Sequence, residues 1–542
     1  MVPDPLHARD PDNPDQPARF STEDHPIQGF LWSDYTAEPD TKYTFTVYPM
    51  YGQPGALEKG PGLKLTVRTE KEFDGTTGIW FNRGAIASQA FNREFGNVGP
   101  QPKENPDPAD PRTIWLSRGL LEACLHYIAE ARSGEGLRVA AYEFTYFPVL
   151  EALKAALARG VDVQIVYDDT TKAAGRAKGK NEGAIRAAKL PKTAAGQRVV
   201  FPRTRTAIPH NKFIVRLDDA GAPQSVWTGS TNFTPSGFLG QSNVGHVVSD
   251  SGLAATFLSY WELLKTDPKK AALKESLADL TPNPPPVVPK GSTTAFFSPR
   301  SDDDMLDWYA SRIANAVSSV SFTAAFGIAN QLVEPLAADT DTLRFILMEK
   351  PPPQEQQAQL TVDRADLQIS YGNVLGELYR FDDEGKPVAR RRIVDFELDK
   401  WFLAEDHYRP KNDGFVFFVH TKFLLIDPLS EDPLICTGSA NFSTNSLKNN
   451  DENMLLIRGD TRVADVYLTE FDRLFRHFYF RNTANELSGD GDEAKAAFLA
   501  EDDSWSESAF WRNGFKARRR KLFFLDPDET WAERAEEEPA NG

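Results

Sequence analysis

Hydrophobic and polar residues alternate in two runs near the start of the chain, from 43 to 47 and from 63 to 67. A period of two is typical of β-strands, and glycine- and proline-rich segments separate the runs. Residues 79–95 have the wider spacing of a short helix, and a proline-rich link follows. The pattern therefore predicts a small β-rich N-terminal domain over residues 27–110.

The remainder of the chain alternates between helical and strand patterns, and it does so twice in the same order. The first run predicts helix 117–132, strand 139–144, helix 148–159 and strand 161–167. The second run predicts helix 305–317, strand 320–325, helix 331–336 and strand 343–348. Alternating strands and helices favour an α/β fold with a parallel or mixed sheet.

Changes in composition divide the chain into six predicted segments. They are a disordered Pro/Asp-rich arm (1–26), the β-rich domain (27–110), a first repeat (111–281), a proline-rich linker (282–292), a second repeat (293–485) and an acidic and basic tail (486–542). A length of 542 residues agrees with several domains.

The charge and composition exclude several classes of protein. A formal net charge of −17 argues against a protein that is basic all over, such as a nonspecific nucleic-acid coat. Two cysteines exclude a disulfide scaffold. The apolar runs are too short for a transmembrane segment, and the N-terminus does not have the pattern of a secretory signal. We therefore expect a cytoplasmic enzyme.

A pair of short motifs occurs twice, with offsets of 210 residues for its histidine and 209 for its asparagine. The two copies are His210-x-Lys212 with Gly229-Ser230-x-Asn232, and His420-x-Lys422 with Gly438-Ser439-x-Asn441. Two motifs that recur together at one offset indicate a tandem duplication. We expect the two halves to face each other across a pseudo-two-fold axis.

These residues resemble the phospholipase D superfamily, whose paired H-x-K-x4-D and G-S-x-N motifs meet in one active site. The resemblance implies two α/β sandwich repeats and phosphodiesterase activity. The second copy is complete and includes Asp427, which has a mainly structural role in the family. The first copy has Leu217 at that position, with Asp218 one residue later. Residues 35–51 also resemble part of a fibronectin type III-like sandwich.

The motifs supply what cleavage of a phosphodiester requires. An H-x-K sequence on a strand places both side chains on one face, so each lysine can hold a phosphate oxygen beside its histidine. We predict His210 and His420 as catalytic residues. The predicted phosphate-binding residues are Lys212, Lys422, Ser230, Asn232, Ser439 and Asn441. The lysines replace the electrostatic role of a cation, so no metal or cofactor is expected.

A carboxylate and an amide occupy matching positions behind the two motifs. Glu452 follows Asn441 by eleven residues, and Asn243, close to Gln241, follows Asn232 by eleven. In the family a carboxylate here hydrogen-bonds the motif histidine. With each partner assigned to its own half, Glu452 would favour a protonated His420 as general acid. The amide side, Asn243 or Gln241, would leave His210 neutral as the nucleophile that forms a phosphohistidine.

For the other histidines the sequence predicts a structural role or no role. His246 is expected to be a core residue, and His407 lacks partners for a metal site. No role is assigned to the remaining histidines, which are His7, His25, His126 and His477. The aromatic cluster after the first strand of the first repeat either lines the cleft or packs in the core; it consists of Tyr142, Phe144, Tyr146 and Phe147.

Three functions remain open on the sequence alone. The leading one is hydrolysis of phospholipid head groups, with or without transfer to an alcohol. The second is a nuclease or a phosphodiesterase that processes nucleic-acid ends. The amide in the first half, the carboxylate in the second and the missing first aspartate are similar to those of tyrosyl-DNA phosphodiesterases. The third is a protein that binds phosphorylated ligands without turnover, with the N-terminal strands binding a protein partner.

Overall fold

The computed structural model describes residues 2–3, 21–53, 55–84, 89–95, 98–102, 104–170, 179–360, 366–372, 378–381, 387–391, 419–487, 498–500, 502–510 and 514–524. Most of the predicted arm lies outside these residues, as do His7, His407 and the end of the tail.

The N-terminal region contains short strands that pair locally. They are β1 (Val2–Pro3), β2 (Lys42–Val47), β3 (Met50–Gln53), β4 (Ala56–Lys59) and β5 (Leu63–Arg68). β2 pairs antiparallel with β5, and β3 with β4, which confirms the strands predicted at 43–47 and 63–67. Because these pairs form two separate two-stranded sheets, the fibronectin type III-like sandwich is not confirmed.

The first large sheet has seven strands. Its elements, with three short strands between them, are β6 (Thr77–Phe81), β7 (Gly136–Ala141), β8 (Asp162–Asp168), β9 (Thr193–Ala194), β10 (Gln197–Arg198), β11 (Val200–Arg203), β12 (Ile208–Pro209), β13 (Lys212–Leu217), β14 (Pro223–Gly229) and β15 (Val244–Val248). The strand order is β11-β8-β7-β13-β14-β15-β6. Strand β6 corrects the helix predicted over 79–95, because these residues pair with β15 and helix begins only at Gln89.

The second large sheet repeats the order and directions of the first. Its region contains β16 (Ser292–Ser298), β17 (Ser319–Ala324), β18 (Leu343–Met348), β19 (Leu367–Tyr371), β20 (Leu378–Phe381), β21 (Pro387–Arg391), β22 (Lys422–Ile426), β23 (Leu434–Gly438) and β24 (Asn450–Arg458). The order is β19-β18-β17-β22-β23-β24, with β16 on the far side of β24. In both orders the first three strands are parallel and the later neighbours antiparallel. The short strand β12 also joins the second sheet, as a parallel partner of β24. The chain is thus a mixed α/β protein.

Helices cover the sheets close to their predicted positions. The α-helices are Gln89–Phe95, Pro111–Ser117, Leu120–Ala129, Phe147–Ala158, Lys180–Ala187, Ser251–Lys265, Lys270–Leu280, Asp304–Ala314, Asn330–Ala337, Gln354–Leu360, Thr444–Asn449, Thr461–Leu487, Glu507–Phe510 and Phe515–Phe524. A short π-helix spans Ser236–Gly240, a 3-10 helix spans Asp503–Ser506, and strand β25 spans Phe498–Leu499. The helix predicted over 117–132 is interrupted, because Arg118 and Gly119 have left-handed backbone conformations.

A shared core joins the two large sheets. On β13, Phe213 and Val215 belong to this core while Ile214 belongs to an outer core, as the period of two requires. Phe423 and Leu425 on β22 alternate in the same way. Helices Ser251–Lys265 and Thr461–Leu487 contribute to the shared core. The sheets are therefore packed against common side chains, which fixes the strand ends that carry the motifs.

Candidate active site

The two H-x-K motifs stand at equivalent strand ends. Lys212 begins β13 and Lys422 begins β22, each with its histidine two residues earlier. All four side chains are buried. In each half the neighbouring strand is antiparallel to the motif strand and ends beside the lysine, since Ala141 pairs with Lys212 and Ala324 with Lys422. Each lysine is therefore held by the sheet, with its histidine just before the strand.

Each of the two candidate catalytic histidines forms a hydrogen bond with a residue from the other half of the chain. The Nδ1 of His210 lies 2.7 Å from Oε2 of Glu452. The Nδ1 of His420 lies 2.8 Å from Oδ1 of Asn243. Both residues were predicted to orient histidines, but the assignment of each to its own half was wrong. The carboxylate acts on His210, and the amide acts on His420.

Backbone pairing between the halves explains this exchange. Strand β12, just before His210, pairs in parallel with the start of β24, and the His210 amide donates to the Asp451 carbonyl at 2.8 Å. In the matching place Ser242 forms a bridge with Val419, and the His420 amide donates to the Ser242 hydroxyl at 3.2 Å. The two motif turns are therefore interlocked, and their polar side chains form two matching hydrogen-bonded pairs, each of which joins the two halves.

The motif serines contact the orienting residues. Ser230 Oγ donates to Asn243 Oδ1 at 2.8 Å, and Ser439 Oγ donates to Glu452 Oε2 at 2.8 Å. Each hydroxyl also accepts a backbone amide hydrogen, from Val244 or from Asn453. A hydroxyl has one hydrogen to donate, and here it is already engaged. Both serines therefore support the residues that hold the histidines, and their predicted contact with phosphate stays a prediction.

The glycine of each G-S-x-N turn is required by close backbone approach. A Cβ atom on Gly229 would lie 2.2 Å from the Val244 carbonyl oxygen, and one on Gly438 would lie 2.3 Å from that of Asn453. Both contacts are far shorter than van der Waals distances, so no other residue fits without displacing the backbone. The turn can therefore bring its serine against the first residues of β15 or β24.

The motif asparagines differ between the halves. Asn232 Nδ2 donates to Glu143 Oε2 at 2.9 Å, and the Asn441 backbone amide donates to Ser446 Oγ at 3.1 Å. The side-chain oxygens of both asparagines are buried without a hydrogen-bond partner in the described part of the chain. Their predicted contact with phosphate stays a prediction.

An aromatic ring accompanies each lysine. Lys212 Nζ lies 4.9 Å from the centre of the Tyr142 ring, and Lys422 Nζ lies 5.2 Å from that of Phe326. Each Nζ also donates to the carbonyl oxygen of its own histidine. Of the predicted aromatic cluster, Tyr142 is therefore at the site, whereas Phe144 and Tyr146 are core residues.

Burial and neighbouring charges keep both histidines neutral. Burial lowers the pKa of His210 to about 4, with Lys212 acting in the same direction and Glu452 opposing it. The pKa of His420 is well below its usual value because of burial and the two lysines. Burial alone would raise the pKa of Glu452, but His210 and Lys212 together hold it below its usual value. The site therefore contains an ionised carboxylate beside a neutral imidazole.

The aspartate of the second motif is structural. Asp427 Oδ1 accepts the backbone amide hydrogens of Ser318 at 2.6 Å and Ser319 at 3.1 Å, and its carboxylate also accepts that of Val317. It thereby fixes the loop that leads into β17. In the first half Leu217 is buried in the shared core, and Asp218 instead accepts backbone amides of its own turn.

Some residues that position the site were not predicted from the sequence, and one predicted residue does not have the expected role. Gln241 does not orient a histidine: in the described structure its side chain bonds neither ring, and its carbonyl accepts from Asn82 Nδ2 at 2.6 Å. Ser446 Oγ donates to Glu452 Oε1 at 2.6 Å, and Arg203 Nε donates to Asp451 Oδ2 at 2.8 Å. Arg203 lies in a basic cluster and Ser446 in a polar stretch without a periodic pattern, so neither carried a signal.

A family model described as the PLD-like domain of cardiolipin synthase matches residues 124–264 and 398–475, which contain both motif copies. The part of the chain that contains the motifs is therefore similar to the phospholipase D superfamily. One relative with which the chain aligns is the mouse (Mus musculus) mitochondrial cardiolipin hydrolase, 32% identical over 68 residues. That alignment covers 12% of this chain and 28% of the mouse protein.

Solved structures similar to this phospholipase D-like chain share little sequence with it. Phosphatidylserine synthase of Haemophilus influenzae is 10% identical, with a TM-score of 0.42, over 71% of this chain and 94% of that one. Polyphosphate kinase of Porphyromonas gingivalis is 11% identical, with a TM-score of 0.40, over 65% and 45%. The phospholipase D family member Nuc of Salmonella typhimurium is 25% identical, with a TM-score of 0.23, over 35% and 95%.

Among the residues that the structure describes, none of the helices has the length and hydrophobicity needed to cross a membrane.

Proposed function

We propose that this protein is a phosphodiesterase that cleaves phospholipid head groups through a phosphohistidine intermediate. The observation that carries the proposal is the reciprocal pair of hydrogen bonds in which Glu452 holds His210 and Asn243 holds His420, each across the two halves. Two imidazoles with fixed Nδ1 atoms have their Nε2 atoms left for the reaction. The two buried lysines supply the positive charge for the phosphate, which needs no metal.

In the first step, Nε2 of His210 attacks phosphorus and the bond to the leaving alcohol breaks. Glu452 supports this role for His210, because imidazole becomes positively charged when Nε2 is phosphorylated and the carboxylate neutralises that charge. The low pKa of His210, about 4, keeps Nε2 unprotonated before the attack. The nucleophile is therefore the same as the sequence predicted, but for the opposite electrostatic reason.

His420 protonates the leaving oxygen through Nε2. The phosphodiester anion, once bound between the lysines, opposes their effect on His420 and raises its pKa. In the second step, neutral His420 takes a proton from water while the water oxygen bonds to phosphorus. The Nε2–phosphorus bond breaks and His210 is restored. When an alcohol replaces the water, the same step transfers the phosphatidyl group.

The substrate class is inferred from the relatives. The family model and the mouse protein both carry names that refer to cardiolipin, a phospholipid. We therefore place phospholipids ahead of nucleic acids as substrates. The cytoplasmic location stays a prediction from the sequence.

We also infer that the two halves arose by tandem duplication and are related by a pseudo-two-fold axis. The identical strand order of the two sheets supports this inference, and so does the reciprocal contact of each histidine with the other half.

The chemistry is tested by trapping the intermediate. Incubation of the His420→Asn variant with a phosphodiester that has a good leaving group, such as a p-nitrophenyl ester, is expected to accumulate a covalent adduct on His210. Intact-protein and peptide mass spectrometry would locate it. The His210→Asn variant is the matched control and should form none. An adduct on His420 would reverse the assignment.

The substrate class needs a separate assay. Wild-type protein is expected to release head groups from phosphatidylcholine or phosphatidylglycerol vesicles. Salt-sensitive degradation of single-stranded DNA without lipid cleavage would instead indicate a nuclease. Tight binding of phosphate without turnover of either substrate would indicate a binding protein.

A further inference from the structure

The ribbon formed by β2 and β5, here called the N-terminal ribbon, leaves one hydrophobic face uncovered. Its register places six hydrophobic side chains on that face, as the pairs Tyr43–Val67, Phe45–Leu65 and Val47–Leu63. Leu63 is 75% exposed, Val47 64% and Leu65 57%. Aliphatic side chains are usually among the most buried in a protein. A contiguous exposed set of this kind marks an interaction surface.

The opposite face of the N-terminal ribbon is entirely polar. It carries Lys42, Thr44, Thr46, Lys64, Thr66 and Arg68. The hydroxyls of Thr44 and Thr66 lie 3.1 Å apart and form a cross-strand hydrogen bond. The ribbon is therefore amphipathic, with a sharp division between its faces. A two-stranded ribbon is only marginally stable in water by itself, so a partner for the hydrophobic face would stabilise it.

An exposed tryptophan extends the hydrophobic surface. Trp32 is 59% exposed and its ring lies edge-on to Phe45, with centroids 5.7 Å apart. Tyr51, on the hairpin between the two strands of the ribbon, is also 61% exposed. Tryptophan and tyrosine are enriched where an apolar phase meets water, because their rings combine an apolar body with a polar group.

The charge of this region is opposite to that of the chain. Residues 42–68 contain four basic residues and one acidic residue, a formal charge of +3, whereas the chain carries −17. Arg68 pairs with Asp40 and Lys59 with Glu23. Lys42 and Lys64 are without an ion pair among the described residues. After the two ion pairs, residues 42–68 keep a formal charge of 2 − 1 = +1, from Lys42, Lys64 and Glu58. An anionic surface attracts the two lysines, whereas a second copy of the ribbon offers them no opposite charge in excess.

We propose that the N-terminal ribbon docks on an anionic phospholipid surface. Its hydrophobic face enters the boundary between head groups and acyl chains, and Lys42 and Lys64 extend to the head-group phosphates. The choice of a lipid surface over an acidic protein rests on the proposed function, since an enzyme for bilayer phospholipids must reach its substrate from the surface.

Vesicle flotation tests this proposal with the full chain. Wild-type protein is expected to float with phosphatidylcholine vesicles that contain phosphatidylglycerol and to bind less to phosphatidylcholine alone. The Leu63→Thr/Leu65→Thr variant keeps β-forming side chains but removes apolar surface, so its partition should fall on the order of tenfold to a hundredfold. The Thr44→Ser/Thr66→Ser variant alters the opposite face of the same strands and should bind like wild type.

A soluble substrate separates this proposal from the proposed function. Both double variants should hydrolyse bis(p-nitrophenyl) phosphate at the wild-type rate, because the ribbon does not contribute to the active site. If vesicles bind but no variant or wild type hydrolyses any phosphodiester, the proposed function fails and the docking surface stands. The docking proposal is overturned if wild type does not bind anionic vesicles, or if the leucine variant binds them equally. It is also overturned if the leucine variant only abolishes a dimer in sedimentation velocity.

Discussion

The two histidines of the site have the same geometry but different electrostatic surroundings. Glu452 receives hydrogen bonds from His210, Ser439, Ser446 and Asn450. Asn243 contacts His420 and Ser230 with its oxygen and donates to the Gly237 carbonyl. One histidine is thus held by an ionised group and the other by a neutral one. Two nearly identical scaffolds can therefore support two different chemical roles, because one has a carboxylate where the other has an amide.

The largest expected difference between the histidines is in their response to the leaving group. His210→Gln should lose activity by at least on the order of 10⁴-fold with any substrate, because the nucleophile is absent. His420→Gln should lose roughly 10²- to 10⁴-fold with an alkyl leaving group. With p-nitrophenolate, which needs no proton, the initial burst should be much less affected. Single-turnover kinetics with both substrates measure this, and equal losses for both variants would refute distinct roles.

Exchange of the orienting groups should sharpen the comparison. Glu452→Gln preserves a hydrogen-bond acceptor for His210 but removes the charge, so the rate should fall about 10²-fold. This loss is smaller than the loss expected when a substitution stabilises the wrong tautomer of the histidine. Asn243→Asp places a carboxylate beside His420 and favours its protonated form. The alkaline limb of the pH–rate profile should then move upward by about one pH unit or more. A limb that moves downward or stays in place would contradict the role of His420 as an acid.

The aspartates behind the two motifs should differ in their contribution to stability. Asp427 accepts the backbone amides of Val317, Ser318 and Ser319, so Asp427→Ala should lower the free energy of unfolding by about 2–4 kcal/mol. Asp218 serves an exposed turn, and Asp218→Ala should cost about 1 kcal/mol or less. Urea denaturation of both variants provides the measurement. Equal midpoints would show that the second motif has no special structural aspartate.

The smallest expected effect concerns His246 on β15, which lies opposite Thr228 in the first sheet. At the equivalent position of the second sheet, Leu455 lies opposite Thr437. Burial lowers the pKa of His246 from 6.5 to about 3, with a further contribution from Arg462. Between these pH values the unfolded chain binds a proton that the folded chain does not. Acidification therefore reduces stability, by about 1.4 kcal/mol per pH unit for this group.

His246→Leu should remove this part of the acid sensitivity. Between pH 7 and pH 5 the variant should lose about 2 kcal/mol less of its free energy of unfolding than wild type. The variant also loses the hydrogen bond to Tyr467, which lowers its free energy of unfolding at all pH values. Denaturation curves across this pH range measure the difference, and parallel curves would contradict the assignment.

Much of the site could be predicted because its signal is local. The H-x-K and G-S-x-N motifs identify His210, Lys212, His420 and Lys422 from spacing alone, and period-two patterns located most strands. The exchange of Glu452 and Asn243 could not be predicted, because it depends on how two sheets pack against each other. Spacing within one half says nothing about which strand end lies nearest in the other half.

Other errors arose from short elements. Strand β6 has five residues, and a segment of this length is compatible with either periodicity until its partner β15 is known. The role of the serines was also hidden, since a hydroxyl in a glycine turn can face a ligand or a neighbour. The contact with Asn243 or Glu452 decides this, and it involves residues thirteen positions away.

Each histidine depends on a hydrogen bond from the other half, and this arrangement has a consequence for how activity can be lost or regulated. A fragment that ends in the proline-rich linker would retain His210 and its lysine but would lack the carboxylate that completes them. The converse fragment would lack the amide for His420. Separation of β12 from β24 would remove Glu452 from His210, and separation of Ser242 from Val419 would remove Asn243 from His420. On the proposed function, neither motif copy could therefore work unless the two halves are packed together.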